Sequence, residues 1–196
     1  MQVDSKLVGQ LRSETGAGMM DCKKALSESA GDYEKAKEHL RKRGMEIAAK
    51  KGARDTKNGW VGSYIHHNGR VGVMVELLCE TDFVAKNPEF QDLLKDIAMH
   101  IAMADPIAVT REEVPEEVVA KEREIYAAQV PADKPPAVRE RIVQGKIESF
   151  FKERCLLDQP FIKDPKTTIK DLLHQKIQKI GENIVMGRFS RFELGK

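Results

Sequence analysis

The side chains able to do chemistry are few in this sequence, and their spacing suits catalysis poorly. His66 and His67 are adjacent and are followed by Glu80 and Asp82, a set of metal-ligating residue types. Consecutive residues of a strand point to opposite faces, so neighbouring histidines do not easily share one ion, and histidines at a hairpin end that are solvated or hydrogen-bonded are the simpler expectation. The sequence carries no GxSxG elbow, and none of Cys22, Cys79 and Cys155 has a local partner base. Gly16-Ala17-Gly18 runs into Met19-Met20 instead of the Lys-Ser/Thr pair that a phosphate-binding loop supplies. The expectation is a protein with no active site, no metal and no cofactor.

Two segments instead have the character of contact surface. Thr15–Asp21 places Met19 and Met20 at the mouth of a tight Gly turn, and a small bundle cannot bury both. Exposed Met is adaptable contact surface, which points to partner docking. The second segment, Glu80–Asn87, contains Thr81, Asp82, Phe83 and Val84 between a strand and a capped helix. A Phe there can be core, and Thr81 or Asp82 a turn or cap residue. A bulky apolar wedge beside a carboxylate, on a connection flanked by rigid elements, would equally serve to insert into another protein.

Composition sets the frame for these segments. The 196 residues are 41% hydrophobic, enough for one substantial core and a satellite domain, with 33% charged and only 6% aromatic residues. Lys and Arg total 33 against 31 for Asp and Glu, a net charge of +2 that provides no global field for a nucleic acid or an anionic membrane. No apolar run reaches the roughly 20 residues of a membrane span. The polar start, without an apolar h-region, argues against a secretory signal, and three widely separated cysteines argue against a disulfide framework or a structural zinc site. A cytoplasmic protein is expected.

The elements that must carry the two segments follow from periodicity. Residues 1–44 predict three short helices with stripes Val3, Leu7, Val8 and Leu11, then Cys22, Ala25 and Leu26, then Tyr33, Ala36 and Leu40, punctuated by Gly16, Gly18, Gly31 and Gly44, with Asp32 as a cap. Residues 45–57 read as a basic helical linker, a tether or contact strip. The period then changes to two over Trp60–His67 and Val71–Leu78 around Asn68-Gly69, a hairpin whose Val71, Val73, Val75 and Leu77 share a core face. Asn87-Pro88 opens a helix with the stripe Phe90, Leu93, Leu94, Ile97 and Ile101. A charged helical hairpin covers about 112–158, Thr168 opens a last helix that Gly181 ends, and Asn183–Leu194 closes the sheet. The fold class expected is α+β: a three-helix bundle, then a core over 58–196 of an antiparallel sheet packed with helices and a protruding helical hairpin.

Leu11–Leu26, with its Thr15-Gly16-Ala17-Gly18-Met19-Met20 turn, and Cys79–Ala85, with Thr81-Asp82-Phe83-Val84, closely resemble elongation factor Ts. Gly62–His66, Arg70–Val73, Met99–Ala102, Gln159–Phe161 and Arg191–Gly195 extend the resemblance nearly end to end. The resemblance implies a guanine-nucleotide exchange factor for elongation factor Tu, not an enzyme. It implies a bundle similar to a ubiquitin-associated domain that docks on the partner's nucleotide-binding domain through Arg12, Thr15, Gly16, Met19, Met20, Lys23 and Lys24. It also implies an exchange element, Thr81, Asp82, Phe83 and Val84, inserted near the partner's Mg²⁺, and a core helix whose His100 and Ile101 touch the partner.

Long family members carry two core halves, whereas this chain has one, the compact form. A single half-core would leave sheet surface to cover, so a symmetric homodimer through the core is expected. Cys79, at a strand end, could approach its symmetry mate, although cytosolic thiols normally stay reduced. A competing reading, an RNA-binding translation accessory, would use the seven basic residues of Arg41–Lys57, but base-stacking aromatics are missing there and no specific nucleic-acid binding is expected. A ubiquitin-like adaptor would leave residues 59–196 unexplained.

Overall fold

Short polar side chains fix where four of the helices begin. Asp4, Asp32, Asn87 and Thr168 accept hydrogen bonds from the backbone N–H groups of Lys6 (2.9 Å), Lys35 (3.1 Å), Glu89 (2.9 Å) and Asp171 (3.1 Å), satisfying donors that a helix start leaves without partners. The computed structural model describes residues 4–196, so Val3 of the first expected stripe lies outside the described residues. The helices α1 (Ser5–Thr15), α2 (Met19–Glu28) and α3 (Tyr33–Lys51) enclose a small core of Val8, Leu11, Ala17, Cys22, Ala25, Leu26, Ala36 and Leu40.

Gly44 does not end the third helix. Helix α3 runs through it to Lys51, so the basic helical stretch expected from residue 45 begins as a continuation of α3 and packs through Ala48. The reason lies in Leu40, Gly44 and Ala48, spaced four apart on one face. A Cβ at position 44 would stand 2.9 Å from Gln178 Oε1, so the missing side chain lets α3 lie against α8 (Ile169–Ile180), and Ala48 enters the main core.

The main core lies under a three-stranded antiparallel sheet in the order β1 (Asn58–Ile65), β2 (Val71–Cys79), β5 (Ile184–Glu193). Val73, Val75, Leu77 and Cys79 of the central strand are buried, as alternation requires. They meet Phe90, Leu93, Leu94, Ile97 and Ile101 of α5 (Pro88–Ala104), and Ile169, Leu173 and Ile177 of α8. Gly62 of β1 permits the close approach of α5, since a Cβ there would lie 2.7 Å from Leu94 Cγ. Helices α6 (Glu116–Gln129) and α7 (Pro136–Arg154) form the helical hairpin, tied across by Arg123–Glu140 at 2.9 Å and rooted in a third cluster of Ala108, Val114, Phe150 and Cys155. A two-stranded ribbon, β3 (Pro160–Phe161) and β4 (Asp164–Thr168), leads into α8. The architecture is α+β.

All three cysteines are free and buried. The Cys79 thiol sits wholly inside the core, 3.1 Å from the Thr81 carbonyl, and burial pushes its pKa up. This agrees with the expectation of a reduced thiol: the Cys79 sulfur faces the chain's own interior, with no exposed surface to offer a second copy.

Candidate functional site

The connection between β2 and α5 winds into a single helical turn, α4 (Asp82–Ala85), and each end of it is tied down. Thr81 has extended backbone and caps the turn, its Oγ1 accepting from Val84 N at 3.4 Å. Both of its donors end on one carboxylate, the backbone N–H on Glu182 Oε2 at 3.0 Å and the hydroxyl on Glu182 Oε1 at 2.8 Å. Before it, the Glu80 carbonyl accepts from Asn58 Nδ2 at 2.8 Å, and the Glu80 carboxylate accepts from Asn183 N at 2.6 Å and faces Arg54 at 3.4 Å. After it, Gln91 Nε2 donates to the Ala85 carbonyl at 2.5 Å, and Asn87 caps α5.

Within this turn the side chains divide sharply. Ala85 is buried and Val84 packs on the main core, whereas Phe83 is 81% exposed. Burying such a ring would return about 1.5–3 kcal/mol, so an exposed Phe on a turn held this firmly is kept from its own core by construction. Asp82 bonds Lys86 Nζ at 2.8 Å across the turn, and that contact holds its carboxyl below the usual range.

The start of α5 is pinned as well. Glu89 takes Lys176 Nζ at 2.6 Å and Lys179 Nζ at 2.5 Å, both from α8, and these hydrogen bonds bring its pKa down to about 2 from an ordinary 4.5. Helix α8 and the turn after it thus grip the exposed Phe83 turn from both sides.

A second surface lies on the bundle. Thr15 Oγ1 donates to the Leu11 carbonyl at 2.6 Å and accepts from Ala17 N at 3.3 Å, Gly16 is left-handed at φ 66°, and Ala17 plugs the bundle core. With Ala17 turned inward, Met19 and Met20 are forced out at the head of α2, Met20 73% exposed. Arg12, Lys23 and Lys24 are exposed around them, and a cleft of about 760 Å³ runs between this turn and Lys179 of α8.

The family described as Elongation factor TS matches residues 11–196. The chain belongs to the elongation factor Ts family. Three relatives named elongation factor Ts match at similar length. That of Thermodesulfovibrio yellowstonii is 54% identical over 196 residues, covering 100% of this chain and 98% of its own. That of Fervidobacterium nodosum is 54% identical over 197 residues, covering 100% of each. That of Carboxydothermus hydrogenoformans is 58% identical over 195 residues, covering 99% of this chain and 90% of its own. Membership makes the chain one of the translation elongation factors.

Of the residues the sequence singles out, Thr81–Val84 form one turn, exposed at Asp82 and Phe83, and Arg12, Thr15, Gly16, Met19, Met20, Lys23 and Lys24 one bundle surface. His100 and Ile101 are corrected: both are fully buried in α5, so neither offers surface to a partner. Ile101 packs in the main core, and His100 Nε2 bonds Gln159 Oε1 at 2.9 Å. Gln159 uses its amide N–H groups on the Glu153 and Ala104 carbonyls, which leaves its oxygen as acceptor and places the His100 proton on Nε2. His66 and His67 stack edge to face, and His66 Nδ1 meets Tyr64 OH at 3.2 Å, the hydrogen-bonded hairpin-end reading. The sequence gives no sign of the supporting Glu182, Lys176, Lys179 and Gln91, since no periodicity or motif links a residue to a cap 101 positions away.

Burial lowers the pKa of His100, outweighing the Gln159 bond that raises it. The folded chain therefore refuses a proton that the unfolded chain accepts near 6.5, so stability present above that pH is lost below it. Urea unfolding should show less stability from this group at pH 5.5 than at pH 7.5. The His100→Gln variant should lose less across that interval, the remainder coming from His174, whose pKa burial also lowers. An unchanged pH dependence in the variant would contradict the assignment.

Proposed function

We propose that the chain is a guanine-nucleotide exchange factor for elongation factor Tu, acting in the cytoplasm and making no covalent bond. The observation that carries this reading is Phe83, apolar and 81% exposed on a turn capped at one end and pinned at the other. Exchange requires differential binding. A factor that prefers the nucleotide-free partner weakens the nucleotide by the same ratio, and each tenfold takes about 1.4 kcal/mol. Mg²⁺ and the phosphate-cradling backbone supply much of the grip on a guanine nucleotide. A rigid ring driven between the partner's helices near the metal acts on that grip, and a mobile one would yield instead. Thr81 and Val84 hold the turn, and Asp82 stands beside the wedge.

The bundle serves as the dock. Met19 and Met20 provide adaptable apolar contact, with Arg12, Thr15, Gly16, Lys23 and Lys24 around them. The RNA-binding reading loses support from the charge pairing along 41–57. Arg41, Lys42, Arg43, Arg54 and Lys57 face Asp171, Glu38, Asp21, Glu80 and Asp55 within 2.8–3.6 Å, leaving little unpaired charge for phosphates.

The core also carries an uncovered apolar face. Val61 and Ile65 of β1, Met74 of β2 and Val185 and Phe192 of β5 are exposed on the side of the sheet away from α5 and α8. A second copy is the partner that self-complementary apolar surface fits, and a homodimer through this face forms part of the reading.

With elongation factor Tu holding fluorescent GDP, release at saturating Phe83→Ala should fall by about 100-fold, as loss of an insertion anchor implies. The Met19→Ala/Met20→Ala variant should reach the wild-type maximal rate only at higher concentration. Wild-type release by Phe83→Ala would refute the reading. Light scattering at micromolar concentration should give twice the 22.1 kDa of one chain, and a single-chain mass alone would remove the dimer.

A further inference from the structure

We propose that Glu182 is the positioning residue of the exchange element, holding Phe83 outward through Thr81 before any partner arrives. The inference rests on the exchange reading above and extends it to a residue outside the Thr81–Val84 string.

An isolated turn of helix is a poor structure, because nucleation fixes several dihedrals for each hydrogen bond gained. Within and around α4 the backbone supplies Ala85 N to Thr81 O and Lys86 N to Asp82 O, both at 3.2 Å, and Asn87 N to Val84 O at 2.9 Å, few bonds for a lone turn, so side chains weigh heavily on whether it persists. Thr81 is placed to decide it, and Glu182 controls Thr81. A free hydroxyl rotates its proton to suit its surroundings. Here the proton is committed to Glu182 Oε1 at 2.8 Å, which leaves the oxygen lone pairs facing Val84 N–H, the capping contact. The Thr81 amide, held on Glu182 Oε2 at 3.0 Å, fixes the backbone that leads into the turn. Hydrogen bonds to an ionised acceptor are about twice as strong as neutral ones, so one carboxylate sets both the rotor and the entry angle.

Glu182 is itself held in place. The preceding Gly181 carbonyl receives Lys51 Nζ from the end of α3, and the following Asn183 donates its N–H to Glu80 and its Nδ2 to the Arg54 carbonyl at 3.1 Å. The turn after α8 is thereby tied to the helix that begins in the docking bundle. Phe83, two residues beyond Thr81, inherits that fixed direction. Glu182 acts through Thr81 alone, and its removal should affect insertion and leave docking intact.

The test uses the full-length chain with elongation factor Tu holding fluorescent GDP, and reads maximal release rate and half-saturating concentration separately. Glu182→Ala should lower the maximal rate about tenfold, the cost of a misdirected group, with the half-saturating concentration unchanged. Thr81→Val, which removes the hydroxyl bond and the Val84 cap but keeps the amide bond to Glu182, should also lower it, and the losses should be less than additive in the double variant, because the two substitutions share the hydroxyl link. Glu182→Gln, which keeps one acceptor oxygen, should recover part of the rate. An unchanged maximal rate in Glu182→Ala, a rise in half-saturating concentration alone, or additive losses in the double variant would each overturn the positioning role. Phe83→Ala measured in parallel separates the levels. If it exchanges normally, the exchange reading itself fails; if it is impaired while Glu182→Ala is normal, only this inference fails.

Discussion

The two hydrogen bonds from Thr81 to the Glu182 carboxylate are the contacts on which the exposed surface of the core depends. A four-residue turn has too few internal bonds to define a direction in water, and an exposed phenyl ring gains by folding back onto apolar surface. Without a support anchored elsewhere, Phe83 would sample its own core. The chain avoids this by drawing the support from a distant turn, 101 residues along, which is itself fastened by Lys51, Glu80 and Arg54. The firmness of the wedge is therefore a tertiary property.

Helix α8 serves both surfaces. Lys179 lies against the bundle turn, its Cδ 3.2 Å from where a Gly16 Cβ would be, while its ammonium bonds Glu89 at the head of α5. Lys176 joins the same carboxylate, and Glu182 follows the end of the helix. Helix α3 runs beside it without a break from bundle to core, its Gly44 pressed against Gln178. On the proposed reading, a docking face and an apolar wedge on such a frame would meet a partner as one body, and binding at the bundle would deliver the ring to a set position. Pre-organisation of this kind removes ordering costs from association.

Much of this frame was legible in the sequence because local chemistry dictates it. Asp32, Asn87 and Thr168 announce helix starts, Asn68-Gly69 announces the hairpin, and the stripe Phe90, Leu93, Leu94, Ile97 and Ile101 announces the buried face of α5. What escaped depends on close approach or on distant pairing. Gly44 reads as a stop, yet a glycine inside a helix also admits a neighbouring helix, and only the Leu40, Gly44, Ala48 spacing hinted at that. His100 and Ile101 stand in a family-like string, yet lie on the inward side of α5, and burial outranks motif. Phe83 was open to either reading, since periodicity carries no information on a four-residue turn. Glu182 follows a helix-ending glycine and looks like any solvated loop carboxylate.

The central claim is that Phe83 passes from water into the partner when the complex forms. Hydroxyl-radical footprinting of the chain, free and bound to nucleotide-free elongation factor Tu, reads the solvent access of that ring directly. The account predicts rapid oxidation of Phe83 in the free chain and strong protection in the complex. Equal oxidation in both states would contradict it, as would a ring already protected in the free chain.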